Sequence, residues 1–158
     1  MNLQVRRAEN KDTAKITDLL NQVLMVHHNG RPDLFKGNCR KYTDEQLEIL
    51  IADDDRPIFV AVNEDGDVLG YSFCIVTQQL HNNILTDIKT LYIDDLCVDE
   101  NSRGQHVGKT IYEYVKGYAR EIGCYNLTLN VWACNERAME FYNRQGLQVQ
   151  KMGMETIL

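Results

Sequence analysis

The sequence predicts an α/β domain with a mixed central β-sheet flanked by helices. Three observations carry this. Short strand-like apolar runs alternate with segments of helical spacing. "IFVAV" (58–62) and "VLGYSFCIVT" (68–77) flank the turn "NEDGD" (63–67), an antiparallel hairpin. The strand "LYIDDLCV" (91–98) leads through a short glycine-containing loop into an amphipathic helix and then "NLTLNVW" (126–132), the crossover that parallel neighbours require.

"LQVRR" (3–7) alternates as a strand, and Ile16, Leu19, Leu20, Val23 and Val26 then recur at helical spacing until Gly30 and Pro32 break the helix. Thr43 with Gln46 three residues on is a capping box, opening a helix through Leu47, Leu50 and Ile51. After the hairpin, the 91–98 strand has a parity conflict. Under strict alternation Leu91 and Ile93 share one face, whereas Leu96 and Val98 share the other. An extra residue at Asp94-Asp95, a β-bulge, puts all four on one side; a strand buried on both faces is the alternative.

Val107, Ile111, Tyr114, Val115, Tyr118 and Ile122 mark the next helix, which Gly123 ends. Asn135 can cap a shorter one, "ERAMEFYNRQ", stopped at Gly146. "LQVQ" (147–150) and "METIL" (154–158) are expected as two short strands, so the full order reads β-α-α-β-β-β-α-β-α-β-β.

A chain of 158 residues with 44% apolar and 25% charged residues is expected to form one domain, residues 1–158, and to bury about two thirds of its unfolded surface. No apolar run approaches the roughly 20 residues of a membrane span. The opening "MNLQVRRAENKD" has no apolar signal core, so a cytoplasmic location without membrane association is expected. Cys39, Cys74, Cys97, Cys124 and Cys134 are an odd number at scattered spacings, which favours reduced thiols. With no CxxC or His-x3-His spacing, no metal is expected. The net charge of −6 argues against a nucleic-acid partner, which needs clustered Lys and Arg.

"CVDENSRGQHVGKT" (97–110) nearly copies a nucleotide triphosphatase loop but is one residue short, with Arg103 where the spacing would need glycine. The acidic strand end that would hold magnesium is also missing from "LTLNVW". What survives is a strand, a short loop and a helix start, whose unpaired N–H groups and partial positive charge attract anions such as a diphosphate. Arg103 and Lys109 can add charge-assisted bonds. An ordinary strand-to-helix turn at Gly104 is the plainer reading of the segment alone.

Arg103-Gly104-Gln105-His106-Val107-Gly108 resembles the R/Q-x-x-G-x-G/A pyrophosphate loop of the GNAT superfamily of acyl-CoA N-acyltransferases. "LCV" before it and "NERAMEFYNRQGL" (135–147) after it resemble that superfamily's other signature segments in order and separation. One departure is His106, which stands where the family has the first glycine of its pair.

The resemblance implies a GNAT-like fold and acetyl transfer from acetyl-CoA to a primary amine on a small molecule or peptide, by direct attack in a ternary complex. It implies cofactor contacts at Leu96, Cys97, Val98, Arg103, Gly104, Gln105, His106, Val107, Gly108, Lys109, Asn135 and Tyr142. It implies proton removal by Asp94, ranked first by motif position, or Asp95, directly or through water, and protonation of the departing thiolate by Tyr142. His27, His28, Arg31 and Phe35, in "HHNGRPDLF" (27–35), border the acceptor site in this architecture. Arg31 can fork onto an anionic group of the substrate. Similar proteins are often homodimers. Each role has a plainer counterpart: bulge carboxylates satisfying amides, a packing tyrosine, a helix cap at Asn135, a solvated loop at 27–35, and Cys97 as a buried strand thiol. A noncatalytic acyl-CoA sensor that keeps the fold without the chemistry is the alternative function.

Overall fold

The computed structural model describes residues 2–158. Five strands form one sheet in sequence order: β1 (Gln4–Arg7), β2 (Ile58–Val62), β3 (Val68–Gln78), β4 (Lys89–Val98) and β5 (Asn126–Leu129). The first four pair antiparallel, and β5 joins β4 in parallel. That one parallel step uses the crossover helix α3 (Val107–Glu121). The remaining helices are α1 (Thr13–Gly30), α2 (Asp44–Ile51) and α4 (Glu136–Arg144).

The sheet is covered on both faces. Ile16, Leu19 and Leu20 of α1 and Leu47 of α2 pack on Ile58, Val60 and Val62 of β2, with Tyr71, Phe73 and Cys97. Val107, Ile111, Val115 and Ala119 of α3 pack on the opposite side of β2, Phe59 and Ala61, with Cys74, Leu91 and Ile93. The apolar run "IFVAV" is therefore buried at every residue because alternate side chains serve two different cores.

Local signals behave as the sequence implies. Thr43 Oγ1 accepts from Gln46 N–H at 3.2 Å while Gln46 Oε1 accepts from Thr43 N–H at 2.9 Å, closing the capping box. Helix α1 ends at Gly30, and Gly123 and Gly146 hold the positive φ expected of residues past a helix end.

The parity conflict in β4 resolves as a bulge. Phe73 pairs with Asp95 but Cys74 pairs with Ile93, leaving Asp94 as the extra residue. Leu91, Ile93, Leu96 and Val98 consequently all join the core beneath α3, while Cys97 turns to the α1 side.

Two expectations fail. Strand β5 stops at Leu129 rather than Trp132, and residues 147–158 carry no strand. In both places an alternating sequence lacks a neighbouring backbone to bond, and a strand, unlike a helix, cannot satisfy its own N–H and C=O groups.

Candidate active site

The bulge decides where the sheet opens. The β4–β5 ladder ends at Ile93 opposite Leu129, yet β4 runs on to Val98. Its 95–98 stretch is paired to β3 on one side and has no strand on the other. Leu96, Cys97 and Val98 thus border a gap beyond the end of β5, with backbone polar groups along its edge.

At one end of this gap lies the start of α3. Gly104 has φ 80°, and His106, the residue before the helix, has φ 61° and ψ 15°. Histidine in this left-handed conformation is strained by roughly 1–2 kcal/mol, which explains why glycine suits the position. The first helical bond is Thr110 N–H to His106 O at 3.0 Å, and among the described residues the N–H groups of 103–109 have no acceptor. Arg103, Gly104, Gln105, His106 and Lys109 are exposed, whereas Val107 is buried and anchors the loop to the core. A Cβ on Gly108 would sit 3.3 Å from the Phe141 ring, so this glycine lets α3 approach α4.

At the other end, the bulge turns Asp95 toward β3, where the Tyr71 hydroxyl donates to its Oδ2 at 2.6 Å. Burial raises the Asp95 carboxyl above its ordinary range, opposed by the Tyr71 hydrogen bond and the charges of Lys41 and His27. Asp94 points outward, with Lys41 Nζ at 3.8 Å from its Oδ2. Tyr142, on α4, has its phenol pushed up by burial first and then by the charge of Asp95. Cys97 is pushed up to about 12 by burial, and its thiol lies 3.6 Å from Leu19 O. It is protonated at neutral pH, which disfavours it as a nucleophile.

The sequence-predicted acceptor residues divide. Burial lowers the His27 pKa, opposed by the charge of Asp95, and its ring meets Phe35 at 5.0 Å. Phe35 in turn meets Trp132 edge-on at 5.2 Å, making an aromatic wall. His28 faces the loop, its Nδ1 2.7 Å from Phe35 O and its ring against Gly37. Arg31 is braced by Asp33 at 2.8–2.9 Å and by Glu155, which together raise its already high pKa. Asn135 caps α4, its Oδ1 accepting from Ala138 N–H at 3.2 Å and its amide NH2 left over.

Tyr71, Lys41 and Trp132 are additions that the sequence reading did not single out. Tyr71 was hidden in an apolar run; only its register, two residues before the partner of Asp95, gives its hydroxyl a role. No cluster of three or more His, Cys, Asp or Glu side chains suited to a metal ion occurs among the described residues. Nor, among them, is any helix long and apolar enough to cross a membrane.

A sheet parted beside an open helix start gives an α/β domain with an arrangement that can receive an extended, anion-bearing ligand. The chain belongs to the GNAT family of acetyltransferases, whose profile matches residues 24–147. A point mutant of the BH1408 protein from Bacillus halodurans superposes with a TM-score of 0.94 at 30% identity, covering 98% of this chain and 99% of that one. Streptothricin acetyltransferase of Streptomyces lavendulae is 35% identical over 94 residues, 60% of this chain and 46% of the relative. The chain thus spans about half the length of that relative. The peptidyl-lysine N-acetyltransferase YjaB of Salmonella typhimurium is 24% identical over 151 residues, 94% of this chain and 86% of the relative.

Proposed function

We propose that residues 1–158 act as one acetyl-CoA-dependent N-acetyltransferase domain, moving the acetyl group to a primary amine on a small molecule or peptide. The observation that carries this is the open 94–98 edge of β4, lying between unpaired amides at 103–109 and the Asp95–Tyr142 pair of titratable groups.

In this reading the diphosphate of the coenzyme sits on the 103–109 amides, with Arg103 and Lys109 adding charge. The pantetheine arm runs along Leu96, Cys97 and Val98 toward the bulge, with the Asn135 amide beside it. The thioester carbonyl takes a backbone N–H from the unpaired edge, which stabilises the oxyanion as it forms. Relatives named for streptothricin and for peptidyl lysine are the reason for keeping the acceptor class as broad as small-molecule and peptide amines.

A lysine-like amine with pKa about 10.4 is neutral at pH 7 in roughly one molecule in 2,500, an obstacle of about 4.6 kcal/mol. Asp95 receives the proton, directly or through water, because its raised pKa makes it a better base than an ordinary aspartate. Asp94, the residue ranked first by motif position, faces Lys41 and helps set the potential at the mouth. The amine nitrogen then bonds the acetyl carbon, the C–S bond breaks, the Tyr142 hydroxyl gives its proton to the departing thiolate, and the second proton that leaves the nitrogen returns to the Tyr142 oxygen through water. His27, which feels the charge of Asp95, provides an exit for the abstracted proton. The Phe35–Trp132 wall and Arg31 border the acceptor. Free thiols at all five cysteines, Cys39 and Cys134 exposed among them, support a reducing, cytoplasmic setting.

The test is an acceptor screen over polyamines, amino acids, aminoglycosides and peptides, read by coenzyme A release, together with amide NMR of residues 103–109. Acetyl-CoA should move those amide resonances, and at least one amine class should turn over. Amide shifts without turnover on any amine would make the chain a noncatalytic sensor. Unmoved amides would end the reading.

A further inference from the structure

The fold sets one of its own primary amines at the mouth of the candidate site. Lys41 Nζ lies 3.8 Å from Asp94 Oδ2, at the bulge, and the two side chains are 43% and 34% exposed. Asp95, His27 and Tyr92 each feel the charge of this lysine. Among the described residues, the other lysines that meet a carboxylate do so elsewhere: Lys11 at Glu9, Lys15 at Asp18 and Asp99, and Lys116 at Glu113.

Lys41 belongs to no helix or strand, yet its neighbours fix where it stands. Before it, Arg40 pairs with Asp44 of α2. After it, the Tyr42 ring stacks on Phe73, with centroids 6.0 Å apart and planes 17° from parallel, and Thr43 caps α2. Phe73 is the β3 residue that pairs with Asp95 at the bulge. The stack therefore anchors this segment beside the point where Asp94 is extruded. An ion pair this long and this exposed is weak, so the flexible stem of Lys41 lets its amine move within the mouth while the backbone stays anchored.

We propose that Lys41 is a modification site: the chain transfers an acetyl group to the Lys41 side chain in its own active-site mouth. This rests on the acetyl transfer proposed above, with a tethered amine in place of a free one. Tethering supplies the advantage, because the amine is held near the thioester without an acceptor-binding step. The Lys41 ammonium gives one proton to Asp95, directly or through water. Its nitrogen bonds the acetyl carbon and the C–S bond breaks. The Tyr142 hydroxyl protonates the departing thiolate, and the second proton from the nitrogen returns to the Tyr142 oxygen through water. Acetyl-CoA and the Lys41 ammonium thus become Nε-acetyl-Lys41, coenzyme A and one released proton. The product replaces the cation facing Asp94 with a neutral amide and adds bulk where a free acceptor enters.

The full chain incubated with acetyl-CoA and no added amine, followed by intact mass and peptide mapping, should gain one acetyl group at Lys41. Lys36, Lys109 and Lys151 are exposed and report unassisted acylation, so Lys41 should be labelled well ahead of all three. The rate per chain should not change with protein concentration. Tyr142→Phe should slow labelling of Lys41 about 10²-fold and leave labelling of the other three unchanged. A chain that acetylates an added amine but leaves Lys41 bare, labels it no faster than the exposed lysines, or labels it at a rate that rises with protein concentration would overturn the proposal while the acetyl-transfer reading stands. Absence of transfer to Lys41 and to every amine, with the 103–109 amides unmoved by acetyl-CoA, would remove that reading and this modification together.

Discussion

The Tyr71 hydroxyl donates to Asp95 Oδ2 at 2.6 Å across the β3–β4 ladder, beside the bulge at Asp94. This bond favours the ionised carboxylate, so it partly offsets the upward push of burial on Asp95. Tyr71→Phe should therefore raise the Asp95 pKa further and move the acidic limb of the kcat/KM profile to higher pH. The lost charge-assisted bond should also cost about 1.5–3 kcal/mol of stability, readable by urea unfolding. A limb that stays in place would show that Asp95 does not govern it.

Asp95→Asn should lower kcat/KM by about 10²-fold or more at neutral pH, with part of the loss recovered at high pH where the free amine is already neutral. Asp94→Asn should have a much smaller effect. Paired pH–rate profiles separate the two, and a larger loss from Asp94→Asn would reverse their roles.

Tyr142→Phe removes the proposed proton donor but little packing volume. Turnover should fall about 10²-fold while acetyl-CoA affinity, measured by calorimetry, stays nearly constant. Unchanged turnover would return Tyr142 to a packing role.

His106→Gly tests the strain at the start of α3. Relief of the left-handed conformation, about 1–2 kcal/mol, exceeds the added chain entropy of glycine, about 0.5–1 kcal/mol, so the variant should be modestly more stable. His106→Ala, which keeps the Cβ, should not share that gain. Thermal unfolding of the three proteins checks this.

Arg6 donates to Asp12 at 2.8 and 3.0 Å, and Asp12 also accepts from Glu9 N–H at 2.8 Å. Burial alone would raise the Asp12 pKa, but these bonds outweigh it and hold the carboxyl below its ordinary value. A depressed carboxylate stabilises the fold above its unfolded pKa, about 3.9, and that contribution is lost as pH falls through the lower folded value. Asp12→Asn should cost about 3 kcal/mol at pH 7 and progressively less in acid, measured by urea unfolding at several pH values.

The four helices, the five strands apart from the end of β5, and the bulge as one of two readings of the 91–98 strand were legible in the sequence because their causes are local. The capping box at Thr43–Gln46, the glycine stop at Gly123 and the helical stripe of α3 each fit within a few residues. The conflict between Leu91–Ile93 and Leu96–Val98 could be resolved only by an extra residue or burial on two faces. The motif at 103–108 located the loop, and the departure at His106 marked its strained position. Asp95 and its neighbours were less legible, since which of two adjacent aspartates meets Tyr71 depends on strand register.

The sequence by itself determined the α/β class, the order of elements through α4, the strand–loop–helix step that leads into Val107 and the presence of two adjacent aspartates before it. These follow from periodicity, capping and glycine placement, which act over one or two turns of chain. Only the tertiary structure decided that β5 parts from β4 after Leu129, that Asp95 turns inward while Asp94 faces Lys41, and that residues 147–158 form no strand. Strand pairing and carboxylate burial depend on groups far away in the chain, and no local pattern contains the distance between them.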